Sequence, residues 1–227
     1  MRKDFIASVS HELKTPIGII EGYSEGIRDG IVNHEQAIVY LDTIIDESKK
    51  MGILVNNMLE LSKLESGVIK PKFEVFNINR LIKKVIHTLS INAEEKKLEL
   101  KFIELTDYSY VKADIFKMEQ VLTNLITNAI KYTPENNLIE VSIQKFNSFF
   151  KISVINYGTS IESNEIDKLF NKFYRIDKAR QRNTNSTGLG LSIVKNILEL
   201  HNCKFSLHNI KDGVEFCFFL PEAKLEE

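Results

Sequence analysis

Three groups of residues in this chain have the types and spacing to do chemistry. The first is Phe5-Ile6-Ala7-Ser8-Val9-Ser10-His11-Glu12-Leu13-Lys14-Thr15-Pro16. On a helix His11 falls about 200° from both Val9 and Leu13, so its imidazole faces water, with Thr15 one turn later on the same side. Zinc hydrolysis is excluded, because Thr15 stands where H-E-x-x-H needs its second histidine. An outward His11 next to Glu12 remains, a pairing that by itself is most often an ordinary solvated one. The second group is Asn124-Leu125-Ile126-Thr127-Asn128-Ala129-Ile130-Lys131-Tyr132. Asn124 and Asn128 are one turn apart, where their amide oxygens can complete a magnesium shell otherwise made of phosphate and water, and Lys131 can add a phosphate contact. Two such asparagines alone more often form a hydrated stripe. The third is Thr187-Gly188-Leu189-Gly190-Leu191-Ser192. Glycines where a loop meets a helix let backbone N–H groups approach phosphate, although a packing role is as common for such a pair.

These residues need elements to hold them. A helix is expected from Lys3 to Asp29, with Phe5, Val9, Leu13, Ile17 and Ile20 on its apolar stripe and Gly30 at its end. A second follows Asn33 and stops at Ser66-Gly67; Leu41, Ile44, Met51, Val55 and Met58 form one stripe, with Ile38, Ile45 and Leu59 beside it. Two helices cannot enclose stripes this wide, so the hairpin is expected to pair with a second copy rather than lie on the rest of its own chain. After Gly67 to Pro71 the pattern becomes mixed: helix 77–95, strand 98–103, a short strand ending at Asp114, and a helix from that N-cap to Tyr132. Strands 139–146 and 149–156 turn at Asn147-Ser148, a short helix lies at 165–170, and a longer one at 188–200. A final hairpin, 204–208 and 214–220, turns at Asp212-Gly213. This order suggests an α+β sandwich with helices on one face of a mostly antiparallel sheet.

The 227 residues carry 43% hydrophobic and 27% charged side chains, which excludes disordered and integral-membrane classes. A net charge of -1 argues against a dedicated nucleic-acid binder. Cys203 and Cys217 read as reduced core thiols rather than a disulfide framework. No run approaches 18 apolar residues, so the segment is expected to be soluble. It opens directly in a helical pattern, which reads as a piece cut from a longer protein.

Taken together, in this order, the groups resemble the catalytic core of a bacterial sensor histidine kinase. That resemblance covers essentially the whole chain, as an H box (Ser10 to Pro16), an N box (Asn124 to Tyr132), an F box (Phe170-Asn171-Lys172-Phe173-Tyr174-Arg175) and a G2 box (Gly188-Leu189-Gly190-Leu191). It implies a dimerisation and histidine-phosphotransfer hairpin over residues 1–68, forming a dimeric four-helix bundle. A catalytic ATP-binding domain of the GHKL (Bergerat) type would follow over 69–227. His11 would be the phospho-acceptor, Glu12 its base or orienting carboxylate, and Thr15 the residue that places water during dephosphorylation of a partner. Asn128 with Asn124 would hold Mg²⁺ between the phosphates of ATP, and Lys131 and Arg175 would neutralise phosphate charge. Tyr132 would lie against the nucleotide, Gly188, Leu189 and Gly190 would form the lid junction, and Arg180 is a further lid candidate. The implied partners are a second copy and a response regulator. Membrane attachment is expected only through a sensor region outside this segment, which would be the cytoplasmic part of an anchored protein.

One box departs from the pattern. Where the family usually shows Asp-x-Gly-x-Gly, the chain has Asn156-Tyr157-Gly158-Thr159-Ser160. Asn156 keeps an acceptor oxygen for the adenine amino group but loses the charge. Ser160, together with Asn185-Ser186 before the G2 box, restricts loops that are usually glycine-rich. The alternative these changes motivate is a degenerate GHKL module that binds nucleotide feebly and works as a phosphatase or scaffold.

Overall fold

The computed structural model describes residues 2–105, 109–176 and 187–223, with side chains from residue 6 onward. Helix α1 spans Arg2–Arg28 and runs through Pro16 without a break. Helix α2, His34–Glu65, starts at a capping box: Asn33 accepts from the Gln36 N–H, and the Gln36 side chain accepts from the Asn33 N–H. The two lie antiparallel, with the Tyr23 and Tyr40 rings in edge contact at 4.3 Å between centroids.

The second half is built around one five-stranded sheet. Strands β2 (Glu99–Glu104), β4 (Leu138–Phe146), β5 (Phe149–Tyr157), β7 (Gly213–Pro221) and β6 (Phe205–Ile210) lie in the order β2-β4-β5-β7-β6. Only the β2-β4 pair is parallel. Alternation sends Ile139, Val141 and Ile143 of β4 to the core face, level with Ile152 and Val154 of β5 and with Phe216 and Phe218 of β7. Helices α3 (Ile78–Glu95), α4 (Ile115–Tyr132) and α5 (Gly190–Leu200) cover that face with Leu81, Ile82, Met118, Leu122, Ile126, Ile193 and Ile197, all buried. Strand β1 (Glu74–Asn77) pairs with β3 (Tyr110–Ala113), the short strand expected before Asp114, as a separate ribbon of which the sequence pattern did not reveal β1. The segment at 165–170 is a single 3-10 turn, Asp167–Phe170, and the last hairpin turns on Lys211-Asp212, with Gly213 already in β7.

One expectation needs correction. The C-terminal part of α2 does not wait for a second copy: Leu54, Leu61 and Leu64 are buried in the same core as the sheet, and Met58 packs against it with Leu13 of α1. Lys117 and Gln120 of α4 bond Glu60, and Lys172 bonds Glu65 at 2.7 Å, at the rim of that contact. The rest of the hairpin's apolar surface stays open; Ile38, Leu41, Ile45, Val55 and Leu59 are each at least 42% exposed.

Among the histidines outside the motifs, His201 is structural. Its Nε2 accepts from the Asp114 N–H at 3.2 Å and its Nδ1 lies 2.8 Å from the Ile197 carbonyl, so the Nδ1–H tautomer ties the end of α5 to the start of α4. Burial holds this imidazole below its ordinary value of 6.5. The fold therefore holds the neutral ring, and its contribution to stability is complete above that ordinary value. It is lost as pH falls towards the folded value, because the unfolded chain takes up the proton first. Calorimetric melting between about pH 7 and about pH 5 is expected to show a steeper loss of Tm in the wild type than in His201→Gln.

Candidate functional site

The first site residue stands apart from the others. His11 is exposed on α1 and Glu12 is half-buried beside it; Leu13 turns inward, as the helical spacing requires. Thr15 is exposed one turn on and Pro16 is buried. With proline at 16, the Glu12 carbonyl loses its helical hydrogen-bond donor within a turn of the imidazole.

The second and third groups meet. On α4, Val121, Leu122, Leu125, Ile126 and Ala129 take the buried face and leave half-buried Asn124, Asn128 and Lys131 on another. Gly190, the first residue of α5, abuts that polar face: a Cβ there would lie 3.4 Å from Asn124 Oδ1 and 3.7 Å from Asn128 Nδ2. Leu189 is fully buried and makes no side-chain cap, so among the described residues the α5 N-terminus has no N-cap side chain on its first N–H groups. Gly188 is not part of the helix. It has φ of +66°, and an added Cβ would sit 2.8 Å from the backbone of Phe173, whose N–H donates to the Gly188 carbonyl at 2.9 Å. Only glycine fits both the dihedral and the contact, which ties the F box to the G2 box.

The loop carrying Asn156 is held as tightly. Asn156, the last but one residue of β5, pairs with Ile139 of β4 and Val214 of β7. Gly158 has φ of +74°, its N–H donates to the Asp212 carbonyl at 2.8 Å, and a Cβ would run to 2.7 Å from Asn137 Oδ1. Asn137 thus borders the site without belonging to any motif; nothing local in the sequence marks it. Tyr132 is 47% exposed, with the Lys131 Nζ 5.5 Å from its ring centroid. Arg175 is half-buried at the end of the F box, while Arg180, Asn185 and Ser186 lie outside the described residues. A depression of about 600 Å³ lined by Lys84, Phe116, Glu119, Gln120, Thr123 and Asn124 adjoins the site through Asn124 alone.

Lys131 carries the electrostatic signature. Its Nζ is buried and has no hydrogen-bond acceptor among the described residues. Burial chiefly, then the charges of Arg175 and Lys96, push this ammonium down to about 8. A cation stripped of water and ringed by like charge is stabilised by an incoming anion. Neutral amide oxygens, uncapped helix N–H groups and this cation form a donor set that fits a magnesium polyphosphate, with most of the metal's ligands coming from the phosphates. No cluster of three His, Cys, Asp or Glu able to hold a metal by itself occurs among the described residues.

Comparison with known proteins agrees with this division of labour. Residues 1–67 match the His Kinase A (phospho-acceptor) domain, and residues 113–224 match the histidine kinase-, DNA gyrase B-, and HSP90-like ATPase family. The nucleotide-free catalytic domain of the histidine kinase ThkA is 31% identical, with a TM-score of 0.60 over 66% of this chain and 96% of that one. The chain belongs to the histidine kinases. The sensor protein SrrB of Staphylococcus aureus is 36% identical over 99% of this chain, which spans 39% of that protein's length. ThkA in complex with the response regulator TrrA aligns over 97% of this kinase chain and 61% of its own, at 29% identity and a TM-score of 0.79.

In the kinase, the helical hairpin is followed by the ATP-binding fold of the GHKL class, as the resemblance implied. No helix among the described residues is long and apolar enough to cross a membrane. The Lys131 chemistry sets a pH dependence. Its ammonium is complete below about 8 and lost above it, whereas a bound polyphosphate favours the charged form, so ATP affinity is expected to fall as pH rises through that value. Titration calorimetry should show this fall in the wild type. In Lys131→Met affinity near neutral pH should be about ten-fold weaker and the slope gone.

Proposed function

We propose that this chain is the kinase core of a two-component sensor, phosphorylating His11 from ATP and passing the phosphoryl group to an aspartate of a response regulator. The observation that carries this reading is the pairing of an exposed His11-Glu12 on α1 with a polyphosphate cradle built from Asn124, Asn128, Lys131 and the Gly190 end of α5. In the transfer a neutral His11 ring nitrogen donates its lone pair to the γ-phosphorus, the P–N bond forms as the bond to the β-phosphate oxygen breaks, and ADP leaves. Glu12 orients the neutral ring through its other N–H, or takes that proton as the P–N bond forms, so that the phosphorylated ring is left neutral. Lys131 and Arg175 offset phosphate charge, and Asn156 accepts from the adenine amino group. Asn128 and Asn124 would hold Mg²⁺, which supplies electrostatic stabilisation of the transferred group when bound. Thr15, on the His11 face, would place water for the reverse duty of dephosphorylating the partner. A degenerate, nucleotide-poor module is not favoured, since one half of the chain matches a phospho-acceptor domain and the other an ATPase family.

The response regulator as partner is supported by the ThkA complex, in which a related kinase is bound to its regulator. Attachment to a membrane through a separate sensor region is part of the same proposal, and rests on relatives that are sensor proteins of which this chain spans 39%. A division at residue 68 is part of the same reading, supported by Gly67, which has φ of +68° just after α2. Incubation with γ-labelled ATP should give an acid-labile, alkali-stable label on the wild type; label retained by His11→Ala would overturn the assignment.

Homodimerisation is the second part of the proposal, supported by the exposed apolar residues Ile38, Leu41, Ile45, Val55 and Leu59 along α2. Light scattering is expected to report twice the 26.1 kDa chain mass, and a Leu41→Glu, Ile45→Glu double variant should return it to the single-chain value. A single-chain mass for the wild type would overturn this part.

A further inference from the structure

The end of α4 is held by a residue from another element. Lys96, the C-cap of α3, reaches across with its Nζ and donates to three carbonyls, those of Ile130 at 2.9 Å, Lys131 at 2.6 Å and Thr133 at 2.7 Å. The last carbonyls of a helix have no partner within it and carry its negative end, so one ammonium satisfies several acceptors and the dipole together. The surroundings reinforce the contact. The Asn136 N–H donates to the Lys97 carbonyl at 3.1 Å, the Glu99 N–H donates to the Asn137 carbonyl at 3.0 Å, and Lys97 lies 3.6 Å from Glu135. The α3–β2 turn is thus stitched to the loop that follows α4, and Asn137 of that loop abuts Gly158.

Lys131 and Tyr132 project from the turn that Lys96 holds. We propose that Lys96 is a positioning residue for the polyphosphate: it fixes the C-terminal turn of α4, and so holds the buried Lys131 ammonium where phosphate oxygens can become its acceptors. This rests on the kinase reading given above. Burial draws the Lys96 ammonium below the ordinary lysine range while Glu135 opposes that shift, and its charge adds to that of Arg175 against Lys131. Lys131 is consequently a cation whose place is imposed from outside, by backbone carbonyls that another lysine has claimed.

A double-mutant cycle tests this, with binding of magnesium-ATP and of adenosine measured by calorimetry on the wild type, Lys96→Gln, Lys131→Met and the double variant. Lys96→Gln is expected to weaken ATP about five- to ten-fold and adenosine less than about two-fold, because only the phosphates meet Lys131. In the Lys131→Met background the same change should cost ATP less than about two-fold. Lys96→Arg, which keeps a multidentate cation, should recover part of the affinity, and it carries the comparison if the glutamine variant does not fold. Unchanged ATP affinity, equal losses for ATP and adenosine, or a full loss in the Lys131→Met background would overturn the assignment and leave Lys96 as a stabiliser of the fold. Failure of the wild type to bind ATP would instead overturn the kinase reading on which the assignment rests.

Discussion

The second half of the molecule depends on how α4 is packed. Seven of its side chains, from Met118 to Ile130, are buried against the sheet and its neighbouring helices, which fixes the rotation of the helix about its axis. With that rotation fixed, Asn124, Asn128 and Lys131 have one place to go, and the N-terminus of α5 comes to meet them at Gly190. The polar face is therefore a by-product of the apolar one: hydrophobic burial sets the geometry, and the amides and the ammonium inherit it. Because an ammonium left without an acceptor is expensive, the same packing stores a preference for an anion at that point.

Most of the architecture was legible in the chain. Period-2 and period-3.6 patterns placed the long helices and the central strands within a residue or two, since those elements bury continuous faces whose spacing shows locally. Asp114 was readable as an N-cap, and its side chain accepts from the Lys117 N–H at 3.1 Å. Strand β1 was not readable, because Glu74-Val75-Phe76-Asn77 is too short to show alternation and exists by pairing with β3. Nor did periodicity tell what covers an apolar stripe. Leu54, Leu61 and Leu64 of α2 look like the residues around them, yet they are claimed by the chain's own sheet domain.

The candidate site divides the same way. Residues with distinctive types, such as His11, Asn124, Asn128 and the Gly188–Gly190 pair, stood out as candidates by spacing and were given roles only by the resemblance of the whole set to the kinase core. Those whose part depends on a distant stretch of backbone did not. Asn137 matters through Gly158, and Lys96 through carbonyls more than thirty positions further along, so no local window contains either relation. Asn156, which departs from the usual aspartate, ends the β4–β5 register and is paired on its other side with Val214 of β7, so its backbone is held from both strands.

The seam between the hairpin and the sheet domain is made of two unlike materials. Its centre is three leucines sealed from water, while its rim is the Glu60 and Glu65 carboxylates facing Lys117, Gln120 and Lys172, with side chains between 19% and 39% exposed at the two ion pairs. Dissolved ions screen the rim and do not weaken the centre in that way, whereas cooling weakens the centre more than the rim. Ionic strength and temperature thus bear unequally on the parts of one joint, which gives the two halves of the chain two distinct physical handles on how firmly they are held together.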